Sequence, residues 1–151
     1  MTVTIETGDP RDPAATALLK SSHALMQELF PAESNHYLSI DDLCAPNIRF
    51  FVARTGNEIK GCGAIAVLDG YGEIKSMFTA PDARGLGVAA KILTKIEEIA
   101  RAENLPVLRL ETGDLLHDAH RLYARIGFTK CGPFGDYVEG PHSVFMEKRL
   151  S

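Results

Sequence analysis

The chain has 151 residues, a formal net charge of −4, 45% hydrophobic and 24% charged residues. That length fits one domain, residues 1–151, burying about 70% of its unfolded surface without disulfides or metal. The acidic balance, with no basic stripe, argues against a nucleic-acid partner, and no apolar run approaches membrane-spanning length. Cys44, Cys62 and Cys131 are odd in number and far apart, with no ligand-spaced pair, which points to reduced thiols in the cytoplasm. The segment Met1 to Glu6 has neither a basic nor an apolar leader region, so no secretory leader is expected.

Val3 to Thr7 reads as a first strand. Asp12 caps a helix with Pro13 at its first position, running to about Phe30, where Pro31 stops it. Ser39 to Leu43 reads as a short capped helix, ended before Pro46. Ile48 to Arg54 and Ile59 to Leu68 are strands joined around Thr55-Gly56-Asn57. A turn over Asp69 to Gly72 leads to a strand from Glu73 to Thr79, expected to pair with its predecessor. A helix follows from Ala89 to Arg101, with Ala89, Ile92, Leu93, Ile96 and Ile99 as its apolar stripe, closed by Asn104 and Pro106. Val107 to Glu111 is an apolar strand, His117 to Ile126 a helix ended by Gly127, and Phe128 to Gly132 and Ser143 to Lys148 the last two strands. The order predicts an α+β fold: an antiparallel half, one strand–helix–strand crossover, then a helix and a hairpin.

Between the strand ending at Thr79 and the central helix lies Arg84-Gly85-Leu86-Gly87-Val88-Ala89. Two glycines permit a sharp turn and close backbone approach. The helix start offers free N–H groups and the positive end of a dipole, and Arg84 adds a forked cation. This is an anion site suited to a phosphate or diphosphate. The same residues, as Gly85-x-Gly87-x-x-Ala90, also satisfy the dinucleotide fingerprint, with Glu111 as the ribose acid. A β-hairpin precedes the turn, however, and Glu111 lies further along than that fingerprint asks. A tight turn with no ligand is the third reading.

Downstream lies Ala119-His120-Arg121-Leu122-Tyr123-Ala124-Arg125-Ile126-Gly127-Phe128. With Arg84-x-x-Gly87-x-Ala89, in this order and separated by a helix and a strand, the chain resembles the GNAT superfamily of acyl-CoA-dependent N-acyltransferases, specifically a subgroup of small single-domain bacterial members. Two departures stand out. Leu116 occupies the place of an asparagine that in many members contacts the cofactor, and Ala89 replaces the final glycine of the loop.

The resemblance implies a mixed, mostly antiparallel twisted sheet of six to seven strands flanked by about four helices. It implies acetyl-CoA as acyl donor, its diphosphate held by backbone from Gly85 through Leu86, Gly87 and Val88 to Ala89 with Arg84, and its pantetheine beside Met77, Phe78 and Thr79. This last strand is expected to be bulged and splayed from the next, freeing backbone donors toward the thioester carbonyl. Tyr123 is implied as the proton donor to the leaving thiolate; otherwise it is a helix tyrosine packed with its hydroxyl outward. Reference pKa values near 10 and 8.5 make full proton transfer uphill by roughly 2 kcal/mol, so a strengthening hydrogen bond followed by relay is expected. Glu73 is the candidate general base, with Glu111 its rival on the neighbouring strand. The cysteines lack histidine partners in sequence, so direct attack by an amine is expected rather than a covalent enzyme intermediate. No His, Asp, Glu or Cys cluster has metal-ligand spacing.

The acceptor is implied to lie between Pro31–Pro46 and Pro133–Ser143. Neither stretch holds a lysine or arginine, while Glu33, Asp41, Asp42, Asp136 and Glu139 give an acidic rim. Such a rim favours a cationic small-molecule amine, though acidic loops are also what an acidic protein has anyway. His36, Tyr37, Phe134 and Tyr137 are candidate walls. The function expected is an N-acetyltransferase. The alternatives are a non-catalytic acyl-CoA-binding module on the same fold and, further off, a nucleotide-binding oxidoreductase. A homodimer is a family expectation only.

Overall fold

A computed structural model describes residues 2–151. Its seven strands are β1 (Val3–Thr7), β2 (Ile48–Thr55), β3 (Glu58–Leu68), β4 (Tyr71–Thr79), β5 (Val107–Gly113), β6 (Thr129–Cys131) and β7 (Ser143–Arg149). Three α-helices accompany them: α1 (Pro13–Leu29), α2 (Val88–Ala102) and α3 (His117–Ile126). They form one sheet in the order β1-β2-β3-β4-β5-β7-β6. Every neighbouring pair is antiparallel except β4 and β5, which α2 joins by a crossover. The final strand inserts between β5 and β6, so the closing hairpin is not the outer edge in chain order.

The expected helix at Ser39 to Leu43 is instead a single 3-10 turn, Asp42–Cys44, so the described residues hold three α-helices rather than about four. Ser39 Oγ accepts the Asp42 N–H at 3.1 Å, as a cap would. Pro46 disfavours helical backbone at Ala45 and leaves no room for a second turn. Asp12 stands at the N-cap of α1, yet its side chain makes no cap bond; its carbonyl accepts the Thr16 N–H at 2.8 Å.

Strand alternation divides the core into two layers. Phe50 and Val52 of β2, with Cys62 and Ala64 of β3, pack against Ala15, Leu18 and Leu19 of α1. Phe51, Ala53 and Ile65 turn the other way, toward Val88, Ile92, Leu93 and Ile96 of α2. Side chains two apart share a face, so each strand feeds both layers. Helix α2 lies close on β3 because two glycines make room. A Cβ on Gly61 would fall 2.4 Å from Val88 Cγ1, and one on Gly63 would fall 2.7 Å from Ile92 Cγ2.

Two irregularities near the sheet centre shape everything that follows. Ser76 has φ +57, and the β3–β4 register slips between Cys62 and Ala64, so Gly63 faces both Ser76 and Met77. This is a β-bulge, which bends a strand and leaves a residue outside the ladder. The second irregularity is the brevity of the parallel pair. β4 and β5 are joined over Gly72–Ile74 and Leu108–Leu110 and then part.

Candidate active site

The anion turn forms as the glycines dictate. Gly85 has φ +87, and Gly87, the N-cap of α2, has φ +79. No side chain caps this helix, and its first turn holds no acidic residue. The first N–H donation along α2 goes from Lys91 to Gly87 at 3.1 Å, which leaves the N–H groups of Val88, Ala89 and Ala90 without an intrahelical acceptor. Free donors and the helix dipole thus converge on open space.

That space is a cavity of about 750 Å³. Met77, Phe78 and Thr79 of β4 form one wall, and Arg84, Gly85, Gly87, Val88 and Ala89 form the end. Of the nine residues expected here from the sequence, only Leu86 stands off the cavity; it is 43% exposed. Leu116 and His117 at the start of α3 close the opposite side. The volume falls in the range of small-molecule and cofactor sites.

A second, smaller cavity of about 140 Å³ lies where β4 and β5 part. The loop Ser34–Tyr37, Met26 and Phe30 of α1, Lys75 and Ser76 of β4, and Glu111 of β5 bound it. Met77 and Tyr123 line both cavities, so the two meet at these side chains. Ser76 Oγ, at the bulge, is enclosed without a hydrogen-bond partner among the described residues.

Tyr123 is 6% exposed, and burial raises its pKa, which keeps the phenol protonated. The end of α3 fixes it. Gly127, at φ +115, lets the chain reverse, and the Phe128 N–H bonds the Tyr123 carbonyl at 2.9 Å. The two rings then meet at 5.7 Å. The Leu-Tyr-x-x-x-Gly-Phe pattern is therefore a helix terminator that locks the tyrosine in place.

The carboxylates separate clearly. Glu73 lines neither cavity. Its Oε2 accepts from the Tyr137 hydroxyl at 2.5 Å and from Lys75 Nζ at 3.2 Å. Lys75 Nζ also donates to Tyr137 Oη at 2.9 Å and to the His36 carbonyl at 3.1 Å, which occupies all three of its protons. Side chains of Lys75 and Glu73 are each 10% exposed. Burial, reinforced by the bond to Glu73, pushes the Tyr137 pKa up. Glu111, in contrast, does line the smaller cavity. Its Oε2 accepts from Ser143 Oγ at 2.8 Å. Burial raises its pKa, against the opposing pull of Ser143, His36 and Lys75.

Sequence reasoning missed Lys75, because it looked for cations in the two loops. The signal was present: Glu73 and Lys75 are two apart on a strand and so share a face. Of the expected acceptor walls, His36 and Tyr37 line the smaller cavity. Phe134 and Tyr137 do not; they pack with each other at 5.1 Å and with Phe145 at 5.8 and 5.5 Å. Asp41 of the acidic rim pairs with Arg11 at 2.9 Å. Cys62 is buried, and burial pushes its thiol up to about 12, which removes it as a nucleophile at neutral pH. Among the described residues no group of three or more His, Cys, Asp or Glu is arranged to hold a metal ion.

Residues 16–128 match the Acetyltransferase (GNAT) family. The chain is 45% identical over 150 residues to an IAA acetyltransferase of Azospirillum brasilense, covering 98% of each. Its fold matches that of a protein assigned as an acyl-CoA N-acyltransferase from Klebsiella pneumoniae, with TM-score 0.83, 33% identity, and 99% and 98% of the two chains covered. A GNAT acetyltransferase from Elizabethkingia anophelis, solved with acetyl-CoA bound, shares the fold at TM-score 0.70 and 19% identity, with 98% of each chain covered. The chain belongs to the GNAT acetyltransferase family and is an acyltransferase. No helix among the described residues is long and apolar enough to cross a membrane.

Proposed function

We propose that this protein is a single-domain N-acetyltransferase that moves the acetyl group of acetyl-CoA to the primary amine of a small molecule by direct attack. One observation carries the reading: Tyr123 stands at the junction of a large cavity ending in free helix N–H groups and a small cavity opened by the β4–β5 split. The large cavity takes the cosubstrate, which supplies an activated thioester. The small one takes the amine.

The amides of Val88, Ala89 and Ala90, with Arg84, hold the diphosphate. Beyond Ile74 the strand β4 has no β5 partner, so its edge from Met77 to Thr79 presents free backbone groups to the pantetheine arm. A bulge donor stabilises charge developing on the carbonyl oxygen, as oxyanion-hole donors do. Tyr123, kept protonated by burial, hydrogen-bonds the leaving sulfur and passes it a proton. At about 140 Å³ the acceptor cavity is sized for a small molecule or one side-chain end. Charge at this cavity is set by Glu111, because Lys75 is spent on Glu73, so a cationic amine is preferred over an anionic one. Three free cysteines fit a cytoplasmic setting.

The test is a thiol-release screen with acetyl-CoA against amines that differ in charge, run beside calorimetry with acetyl-CoA. Turnover with cationic or neutral amines is expected. Tight acetyl-CoA binding without thiol release from any amine would establish the alternative, an acyl-CoA-binding module. A preference for anionic acceptors would overturn the charge argument alone.

A further inference from the structure

We infer that Glu111 takes the proton from the acceptor amine, and that Glu73 is a positioning residue that holds Lys75 and, through it, both acceptor loops. This rests on the acetyltransferase reading above.

Glu111 is the first residue of β5 beyond the last β4–β5 pair, Ile74 with Leu110. It shares the small cavity with Tyr123, whereas Glu73 is shut off from it. Ser143 occupies one of its oxygens, and among the described residues nothing hydrogen-bonds the other. Glu73 also keeps one oxygen without a partner among the described residues, but it lines neither cavity, and its Oε2 is held by both Tyr137 and Lys75. Lys75 ties β4 to the His36 carbonyl in one acceptor loop and to Tyr137 in the other. The titratable and charged groups facing Glu111 are His36 from the loop after α1, Glu73 and Lys75 from β4, and Tyr137 from the connection before β7. Glu73 and Lys75 cancel, so Glu111 faces the cavity as its carboxylate of net effect.

An alkylammonium has a pKa near 10.4, so only about one molecule in 2,500 is neutral at pH 7. A carboxylate in the cavity lets the predominant ammonium form bind and lose its proton in place, so the rate no longer depends on the fraction of amine that is neutral in solution. In the reaction one ammonium proton passes to Glu111, and the nitrogen lone pair forms the C–N bond as the C–S bond breaks. The second nitrogen proton reaches the leaving sulfur through the Tyr123 hydroxyl, and Glu111 returns its own proton to solvent.

The experiment follows kcat/KM for n-butylamine, ethanolamine and benzylamine from pH 5 to 9, with acetyl-CoA saturating. The wild type should be level above the titration of Glu111, because its carboxylate and the ammonium are the reacting forms. Glu111→Gln keeps the shape and the Ser143 bond but must wait for neutral amine. Its kcat/KM should climb about tenfold per pH unit and lie at least about 100-fold below wild type at pH 7. Glu73→Gln should raise the amine KM and keep the level profile. Ser143→Ala, for use if Glu111→Gln does not fold, removes a bond that lowers the Glu111 pKa, so the acidic limb should move to higher pH. A level profile in Glu111→Gln, a climbing one in Glu73→Gln, or an unmoved limb in Ser143→Ala overturns the inference and leaves the acetyltransferase reading standing. No thiol release by the wild type with any of the three amines defeats both.

Discussion

Replacing Tyr123 by phenylalanine should make the protein slightly more stable and much less active. The hydroxyl is the only atom removed, the residue is 6% exposed, and among the described residues no protein group hydrogen-bonds that hydroxyl. A buried polar group without a protein partner costs up to about 1–3 kcal/mol, reduced here because the hydroxyl faces a cavity that admits water. The expected gain is therefore at most about 1 kcal/mol, or about 2–4 °C in Tm for a chain of this length. Loss of a positioned proton donor removes about 10²–10⁴ in rate. Acetyl-CoA affinity should not change, since the free N–H groups of α2 lie at the other end of the large cavity. Thermal unfolding, calorimetry with acetyl-CoA and a thiol-release assay read the three quantities separately. If kcat stays within about threefold of wild type, the tyrosine is a packing residue and the assigned donor is wrong. A drop in Tm of several degrees would mean that the hydroxyl has a partner the geometry does not show.

Other perturbations discriminate among the parts. Gly87→Ala places a Cβ at φ +79, a conformation that costs a non-glycine residue about 1–2 kcal/mol, and should weaken acetyl-CoA binding about tenfold in calorimetry while the amine KM holds. Gly113→Ala sets a Cβ 2.2 Å from Phe30 Cζ, so about 1–3 kcal/mol of overpacking should lower Tm by several degrees in thermal unfolding. Tyr137→Phe strips a bond from each of Glu73 and Lys75 and should raise the amine KM without changing acetyl-CoA affinity, as steady-state kinetics and calorimetry would show. Glu111→Gln should raise Tm at pH 7.5 and not at pH 4. The raised folded-state pKa means that the native protein binds the proton more tightly than the unfolded chain. Stability from this group is then present below its unfolded pKa and lost as pH rises through the folded value, and glutamine escapes that loss.

Much of the fold was legible because its determinants are local. The apolar stripe of α2, the Gly56-Asn57 hairpin, the stop at Gly127 and the glycine turn before α2 each depend on residues a few positions apart. Backbone sterics and side-chain period fix such features before any long-range contact forms. The Tyr123 motif was singled out by the family resemblance rather than by local rules, although its setting is local: the N–H groups of Gly127 and Phe128 bond back to the Tyr123 carbonyl. Where local rules were near balance, as at Ser39 to Leu43, the reading overshot and a single 3-10 turn formed.

The placing of chemistry between strands was decided by tertiary structure alone. Glu73 and Glu111 are both acidic residues on strands that the sequence makes neighbours. Which one meets the cavity depends on where the parallel pair ends and on Tyr137, 64 positions beyond Glu73, reaching back to it. The insertion of β7 between β5 and β6 likewise brings Ser143 to Glu111 across 32 positions. Those contacts join residues 32 and 64 positions apart, which no local window of sequence contains.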